Sequence, residues 1–304
     1  MVAAIVMSDW GSPDVLVPAD VEVGAPRAGQ ILLQVSFAGV GPTDLAIRAG
    51  RLKGAFGSAP GSVLGFEAAG TVLATGDGVT DVAVGDAVVA FLPNLGGYGE
   101  QVLATHWVRR PDSVDEHTAA GLPASGEAAV RVVQETGVGD GDVVLVVGAA
   151  GSVGLIAAQL AVARGARVLG VVRTGTTADL PALGVTPVVV DGGLADAVRR
   201  HVPSVDVVID AAGSGVLAEA VDLAGGPGRV VTLSDPRAAG SGVRLSGPDE
   251  PRIKERLATA MSLLAQGRLT LRPQTVFPLA DAAQVHRELE AGRLRTKALL
   301  ATAS

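Results

Sequence analysis

The sequence predicts an α/β protein in which a doubly wound parallel sheet follows a β-rich, partly open barrel, and three features predict it. An uninterrupted apolar run, Val143 to Val147, ends in Gly148, Gly151 and Gly154 at spacing G-x-x-G-x-x-G and continues into a helix-periodic segment. After Arg173, short apolar runs alternate with helical patterns. In the first 110 residues, by contrast, short strand-like runs are punctuated by glycine turns.

The stretch from Asp142 to Arg173 carries the most chemistry. A β-branched run such as Val143 to Val147 suits a strand buried on both faces of a parallel sheet. The three glycines lie where backbone approaches a ligand and where a helix packs on the strand. From Ser152 to Arg164 the apolar residues Val153, Ile156, Ala157, Leu160, Ala161 and Ala163 recur at helical spacing. The unpaired N–H groups and positive dipole end of that helix therefore face the glycine turn, an arrangement suited to a pyrophosphate. A second strand, Arg167 to Val172, completes a β-α-β unit of about 30 residues. Residues 143 to 163 carry no charge, but the glycines and Ser152 interrupt them too early for a membrane span.

The end of the second strand reads the adenosine ribose. A carboxylate there would accept hydrogen bonds from the ribose diol of NAD, whereas a cation favours the 2′-phosphate of NADP. This chain has Arg173, followed by the hydroxyls of Thr174, Thr176 and Thr177, and no carboxylate before Asp179. NADP(H) is favoured over NAD(H), with an ordinary exposed arginine as the alternative reading of Arg173.

Composition narrows the classes. An apolar content of 48% supports large cores, and a net charge of −7 without a basic patch argues against nucleic acid as a partner. No basic leader opens the chain, so a cytoplasmic protein is expected, with no membrane partner. The absence of cysteine removes disulfides, thiolate nucleophiles and cysteine metal sites. His106, His117, His201 and His286 lack ligand spacing, so no metal is expected.

In chain order, strands are expected at Ile31 to Ala38, at Val63 to Thr75 with breaks at Gly65 and Gly70, at Ala87 to Phe91 and at Tyr98 to Thr105. Helices follow at Asp112 to Ala120 and Pro123 to Thr136. Beyond Arg173 come strands at Val185 to Val190, Val205 to Ile209 and Arg229 to Leu233, with helices at Leu194 to His201 and Val216 to Ala224. The small-residue turn from Asp210 to Ser214 lies at the carboxyl end of its strand, where parallel sheets bind ligands. A surface loop is expected from Arg237 to Pro251, a helix from Arg252 to Gln266, another from Asp281 to Ala291, and a last strand from Lys297 to Thr302 that rejoins the barrel.

With these elements in place, several motifs resemble the medium-chain dehydrogenase/reductase superfamily, within it the zinc-independent quinone oxidoreductase branch. They are Ala38 to Asp44 (AGVGPTD), Leu64 to Gly70 (LGFEAAG), Val84-Gly85-Asp86, Gly97 to Glu100 (GYGE), Gly148 to Gly154 (GAAGSVG), and the tail Pro278 to Ala283 with Gly292, Arg293 and Lys297. The resemblance implies a GroES-like substrate domain over 1–121, a Rossmann domain over 122–268, a return to the substrate domain over 269–304, and a homodimer joined through sheet edges. It places NADP(H) between the two domains, held by Gly148, Ala150, Gly151, Ser152, Val153, Gly154, Arg173, Thr174, Ala211, Gly213, Leu233 and Lys297.

The departures from the family pattern shape the chemistry. Zinc alcohol dehydrogenases would carry cysteine at Gly41, histidine at Phe66 and a four-cysteine lobe near Pro93 to Gly97. Quinone reductases commonly carry asparagine at Gly41, tyrosine at Ala46 and threonine at Ala128, while Glu127 stands where an apolar residue is usual. What remains is a metal-free reductase that passes a hydride from NADPH to a quinone or an α,β-unsaturated carbonyl. An enoyl-thioester reductase of a biosynthetic pathway and a non-catalytic NADPH-binding protein are the alternatives. Thr43 is a candidate oxyanion donor or the closure of a local turn. Tyr98 is a candidate catalytic phenol or a structural hydroxyl. The resemblance gives Asp44 and Glu67 a structural pairing, with an arginine as their candidate partner.

Overall fold

The computed structural model describes residues 1–173 and 179–302. The chain divides into two units, one of Met1–Ala124, Pro251–Ala265 and Pro273–Ser304, the other of Ser125–Glu250 and Gln266–Arg272.

The first unit opens with β1 (Val2–Met7) and β2 (Leu16–Val21), an antiparallel pair that the sequence pattern did not reveal. In β2 only Leu16 is buried, and Pro18 and Asp20 hide its strand character. Next come β3 (Ile31–Val40), α1 (Pro42–Arg48), β4 (Ser62–Val63), β5 (Glu67–Thr75), β6 (Ala87–Phe91), β7 (Gln101–Ala104) and β8 (His106–Arg109). In β3 the alternation of buried Ile31, Leu33 and Val35 sets the core face.

Gly65 breaks the expected strand as the sequence suggests, with φ of 104°. Gly70 does not: it stays within β5, where a Cβ would lie 1.8 Å from the Gln34 carbonyl oxygen. That glycine permits close backbone approach beside the register shift between Val35 and Phe37. Tyr98 precedes β7 instead of lying within a strand.

After α2 (Glu116–Ala120) and α3 (Pro123–Glu135), the second unit runs through β9 (Val143–Val147), α4 (Ser152–Val162), β10 (Arg167–Val172), β11 (Val185–Val189) and α5 (Leu194–Arg199). It continues through β12 (Val207–Asp210), α6 (Leu217–Leu223), β13 (Val230–Thr232) and β14 (Arg244–Leu245). These strands make the doubly wound parallel sheet, in the order β11-β10-β9-β12-β13-β14. The direction of winding reverses beside β9, and ligands of such sheets bind outside the carboxyl ends at that point. Leu145, Leu169, Val188, Val208, Leu194 and Leu217 form the buried core behind it.

The chain ends with α7 (Ile253–Ala265), β15 (Gln274–Pro278), α8 (Ala282–Glu290) and β16 (Lys297–Ala301). β16 pairs with β15 and antiparallel with β3 in the seven-stranded sheet of the first unit. Helix α7 also belongs to that unit, although its residues lie within the 122–268 span expected for the nucleotide domain. It packs on β8, with the Lys254 ammonium 4.4 Å from the Trp107 ring and paired with Asp81. Among the described residues no helix is long and apolar enough to cross a membrane.

Candidate active site

At the carboxyl end of β9 the backbone turns on Gly148, whose φ of 82° disfavours any side chain. The Gly151 N–H donates to the Gly148 carbonyl at 2.9 Å and closes the turn. Gly154 sits within α4, where a Cβ would fall 2.2 Å from the Gly148 oxygen, so only glycine lets the helix pack this close to the strand. Gly151 caps α4 without a side-chain acceptor, leaving the first N–H groups open toward the turn. Ala150, Gly151, Ser152 and Val153 are partly exposed and line that opening. Backbone donors, a dipole end and absent Cβ atoms together fit a pyrophosphate.

Asp210, the first residue of the expected small-residue turn, organises the neighbouring turns through its carboxylate. Its carboxylate is fully buried, accepting the N–H groups of Ala212 and Gly213, each at 3.0 Å, and the Thr232 hydroxyl at 2.8 Å. The Leu233 N–H donates to the Asp210 carbonyl at 3.0 Å. Because β12 pairs with β9, this brings Ala212 against Gly148, where a Cβ on the glycine would lie 3.0 Å from the alanine methyl. Ala211, Gly213 and Leu233 thus gather with the glycine turn at one sheet edge. An aspartate closing an apolar strand before small residues was the available signal. Arg173 follows β10 and is exposed, while Thr174, Thr176 and Thr177 lie outside the described residues.

The first unit holds a separate constellation around buried Asp44. One of its carboxylate oxygens accepts the Gly41 N–H at 2.8 Å and the other accepts the Gly65 N–H at 3.0 Å. Two segments distant in sequence are thereby joined, and Thr43 and Phe66 adjoin the joint. Burial pushes the Asp44 carboxyl up to about 7, against the two N–H donors and the Lys297 ammonium, which favour the charged form. Thr43 is half-buried in the first turn of α1, and among the described residues its hydroxyl makes no hydrogen bond, which leaves it available to a ligand oxygen.

Phe66 is buried, and the Phe56 ring meets it edge-on with centroids 4.8 Å apart. Phe56 adopts a left-handed φ of 56°, unusual for a bulky residue, and stays partly exposed.

Two expected site residues are otherwise engaged. Lys297 is buried in an ion pair with Glu67 and donates to the Val40 carbonyl at 3.1 Å. Glu67 also accepts the Ala124 N–H at 2.8 Å, so the carboxylate expected to pair with an arginine pairs with a lysine. Tyr98 is fully buried, its hydroxyl 3.1 Å from Nε2 of His286, which makes it a core residue and removes it as a catalytic phenol.

Among the described residues no three of histidine, aspartate or glutamate gather to hold a metal ion, and the chain has no cysteine.

Comparison with known proteins agrees with this arrangement. The alcohol dehydrogenase GroES-like domain family matches residues 27–138, and the zinc-binding dehydrogenase family matches residues 183–300. The zinc in the latter description does not fit a chain with Gly41 and Phe66 where zinc alcohol dehydrogenases carry cysteine and histidine, and with no cysteine at all. A 2-haloacrylate reductase of Burkholderia sp. is 38% identical over 59% of this chain and 55% of its own. The quinone oxidoreductase of Sus scrofa is 28% identical over 95% of this chain and 94% of its own. The solved quinone oxidoreductase of Coxiella burnetii superposes with a TM-score of 0.87 at 27% identity, covering 99% of both chains. The glycine turn, the parallel sheet, the GroES-like unit and these relatives place the chain in the medium-chain dehydrogenase/reductase superfamily, as an oxidoreductase of the quinone oxidoreductase-like kind.

Proposed function

We propose that this protein is an NADPH-dependent, zinc-independent reductase that adds a hydride to a quinone or an α,β-unsaturated carbonyl compound. The observation that carries the reading is the glycine turn under the open N-terminus of α4, which packs close on β9 because Gly154 has no Cβ to meet the Gly148 carbonyl oxygen. The reduced nicotinamide supplies the hydride. Gly148, Ala150, Gly151, Ser152 and Val153 would hold the pyrophosphate through backbone N–H groups. Arg173 would take the 2′-phosphate, with Ala211, Gly213 and Leu233 bordering the cofactor.

The substrate side follows from the first unit. Hydride addition to a quinone or enone leaves negative charge on the conjugated oxygen, and Thr43 has an uncommitted hydroxyl to donate to it. Asp44 holds Thr43 in place by fixing the first turn of α1 to Gly65. The hydroquinone or enolate then takes its proton from solvent, so no buried general acid is required. Phe56 and Phe66 offer apolar ring surface that suits a flat conjugated acceptor. The names of the Burkholderia and Sus scrofa relatives fit the same two substrate classes.

The reading includes a homodimer, since β14 is one of the two edge strands of the six-stranded sheet and Leu245 on it is exposed.

The test is NADPH oxidation, with NADH in parallel, against a simple quinone, a fused-ring quinone, a 2-alkenal, an alkenone and a crotonyl thioester. Turnover of quinones or enones with NADPH preferred is the expected result. Turnover of the thioester alone would replace this reading with an enoyl-thioester reductase, and binding without turnover would leave a non-catalytic NADPH-binding protein.

A further inference from the structure

Five buried polar residues of the second unit form one continuous hydrogen-bonded chain across the carboxyl ends of its strands. Asp210 closes β12, and its carboxylate accepts the hydroxyl of Thr232, the last residue of β13, at 2.8 Å. The Thr232 carbonyl accepts the N–H of Ser246, the residue after β14, at 2.9 Å. The Ser246 hydroxyl oxygen in turn accepts a hydrogen bond from the Arg131 guanidinium, and the Arg131 Nε–H is shared between both oxygens of Glu127, at 3.1 and 3.2 Å. Arg131 and Glu127 stand one turn apart on α3, so the chain ends on the rigid backbone of a helix. What it anchors is weakly held otherwise, since β14 is a two-residue edge strand with two register pairs to β13. A buried ion pair contributes little net stability over apolar residues of similar volume. Glu127, where the family pattern carries an apolar residue, is therefore better explained by what it fixes than by what it stabilises.

We propose that Glu127 and Arg131 are positioning residues for hydride transfer, which hold the backbone beyond β14 as the bed of the cofactor's redox half. The proposal rests on the NADPH reading above. With the pyrophosphate on the glycine turn at β9 and the 2′-phosphate at Arg173 after β10, the adenosine extends to the β10 side of β9. The nicotinamide then extends to the other side, over the carboxyl ends of β12, β13 and β14. Those are the ends that the polar chain joins. Arg131 fixes Ser246, and the Ser246 N–H is bonded to the end of β13, so a shift at Ser246 moves the bed of the ring that carries the hydride. The pyrophosphate and adenosine contacts, on β9 and β10, stay as they are.

The test reads hydrogen–deuterium exchange of the full chain, alone and with NADPH or 2′,5′-ADP, together with single-turnover hydride transfer to a quinone. In wild type, NADPH should slow exchange of the peptide spanning residues 244–250, and 2′,5′-ADP, which lacks the nicotinamide half, should not. Two variants release the anchor: Ser246→Ala, and Glu127→Leu combined with Arg131→Met, which leaves no buried charge unpaired. In both, the 244–250 peptide of the free protein should exchange faster, and hydride transfer should fall by roughly 10- to 100-fold, the scale of a displaced reacting group. Their affinity for 2′,5′-ADP, measured by calorimetry, should be unchanged. Should the double variant fail to fold, Ser246→Ala decides alone. Unchanged hydride transfer, or a loss of 2′,5′-ADP affinity equal to the loss of rate, would make the ion pair a packing feature and overturn the proposal. Protection of residues 244–250 by 2′,5′-ADP would put the adenosine half there and overturn it as well. A wild type that binds neither nucleotide, or binds NADPH and transfers no hydride, would instead overturn the NADPH-dependent reductase reading, and this proposal with it.

Discussion

The Tyr98 hydroxyl lies 3.1 Å from Nε2 of His286 in a fully buried contact between residues 188 positions apart. Burial, and then the nearby Arg48 guanidinium, push the imidazole down to about 3, so His286 is neutral in the folded chain. Its contribution to stability is present above the unfolded value of 6.5 and is lost as pH falls toward 3. Asp44 acts with the opposite sign. Its folded value, near 7 against 3.8 when exposed, stabilises the fold at low pH and is lost as pH rises through that window. Between about pH 4 and 6.5 the two slopes oppose, each about 1.4 kcal/mol per pH unit. In His286→Gln only the Asp44 slope survives, so stability relative to wild type should fall as pH rises across this range. Urea unfolding of both proteins at pH 4.5 and 6.0 measures it, and parallel pH dependence would remove His286 from the account.

The Lys297–Glu67 pair is buried on both sides and ties β16 to the start of β5. Removing one partner leaves a charge without compensation, at a cost of about 3–5 kcal/mol. Lys297→Met should therefore unfold at a markedly lower urea midpoint than wild type. It should also push Asp44 further up, because the Lys297 charge is one of the influences holding that carboxyl down. Adding Glu67→Gln should recover part of the loss, which a double-mutant cycle would show as coupling between the positions.

Gly154→Ala places a methyl 2.2 Å from the Gly148 carbonyl oxygen, and backbone must shift to admit it. The overpacking should cost about 1–3 kcal/mol in stability and widen the turn beneath the α4 N-terminus. NADPH affinity should fall at least tenfold, measured by calorimetry. Normal NADPH affinity in a folded Gly154→Ala protein would mean that the pyrophosphate lies elsewhere.

Thr43→Ala removes the candidate donor to the substrate oxygen. The turnover number should fall by roughly 10- to 100-fold, below the loss seen for a dedicated oxyanion donor because solvent can substitute in part. NADPH binding should be unchanged, and Thr43→Ser should retain most of the activity. Equal rates for Thr43→Ala and wild type would show that another group stabilises the oxygen.

The nucleotide half was legible because its chemistry is local. The apolar run at Val143 to Val147, the three glycines and the helix that follows lie within one β-α-β unit, and each residue contributes through its own backbone or size. The first unit was harder to read because its key contacts span the chain. Asp44 meets Gly65, Glu67 meets Lys297 and Tyr98 meets His286, and no spacing announces such pairs. Thus a lone tyrosine beside glycines suggested chemistry and proved to be core, and Lys297 proved to be committed to a carboxylate. The turn that Asp210 opens was legible, but the role of its carboxylate was not, since that carboxylate binds the turns that carry the expected site residues. Helix α7 has an ordinary amphipathic pattern, which fixes that it packs but not on which unit.

The most direct measurement follows the hydride itself. The protein is incubated with NADPH deuterated at the transferable position and an α,β-unsaturated ketone, and the product is analysed by NMR. One deuterium on the β-carbon per NADPH consumed, with protium from water on the α-carbon, is the predicted result. Saturated product without deuterium, or deuterium on the carbonyl carbon, would contradict hydride addition to a conjugated acceptor.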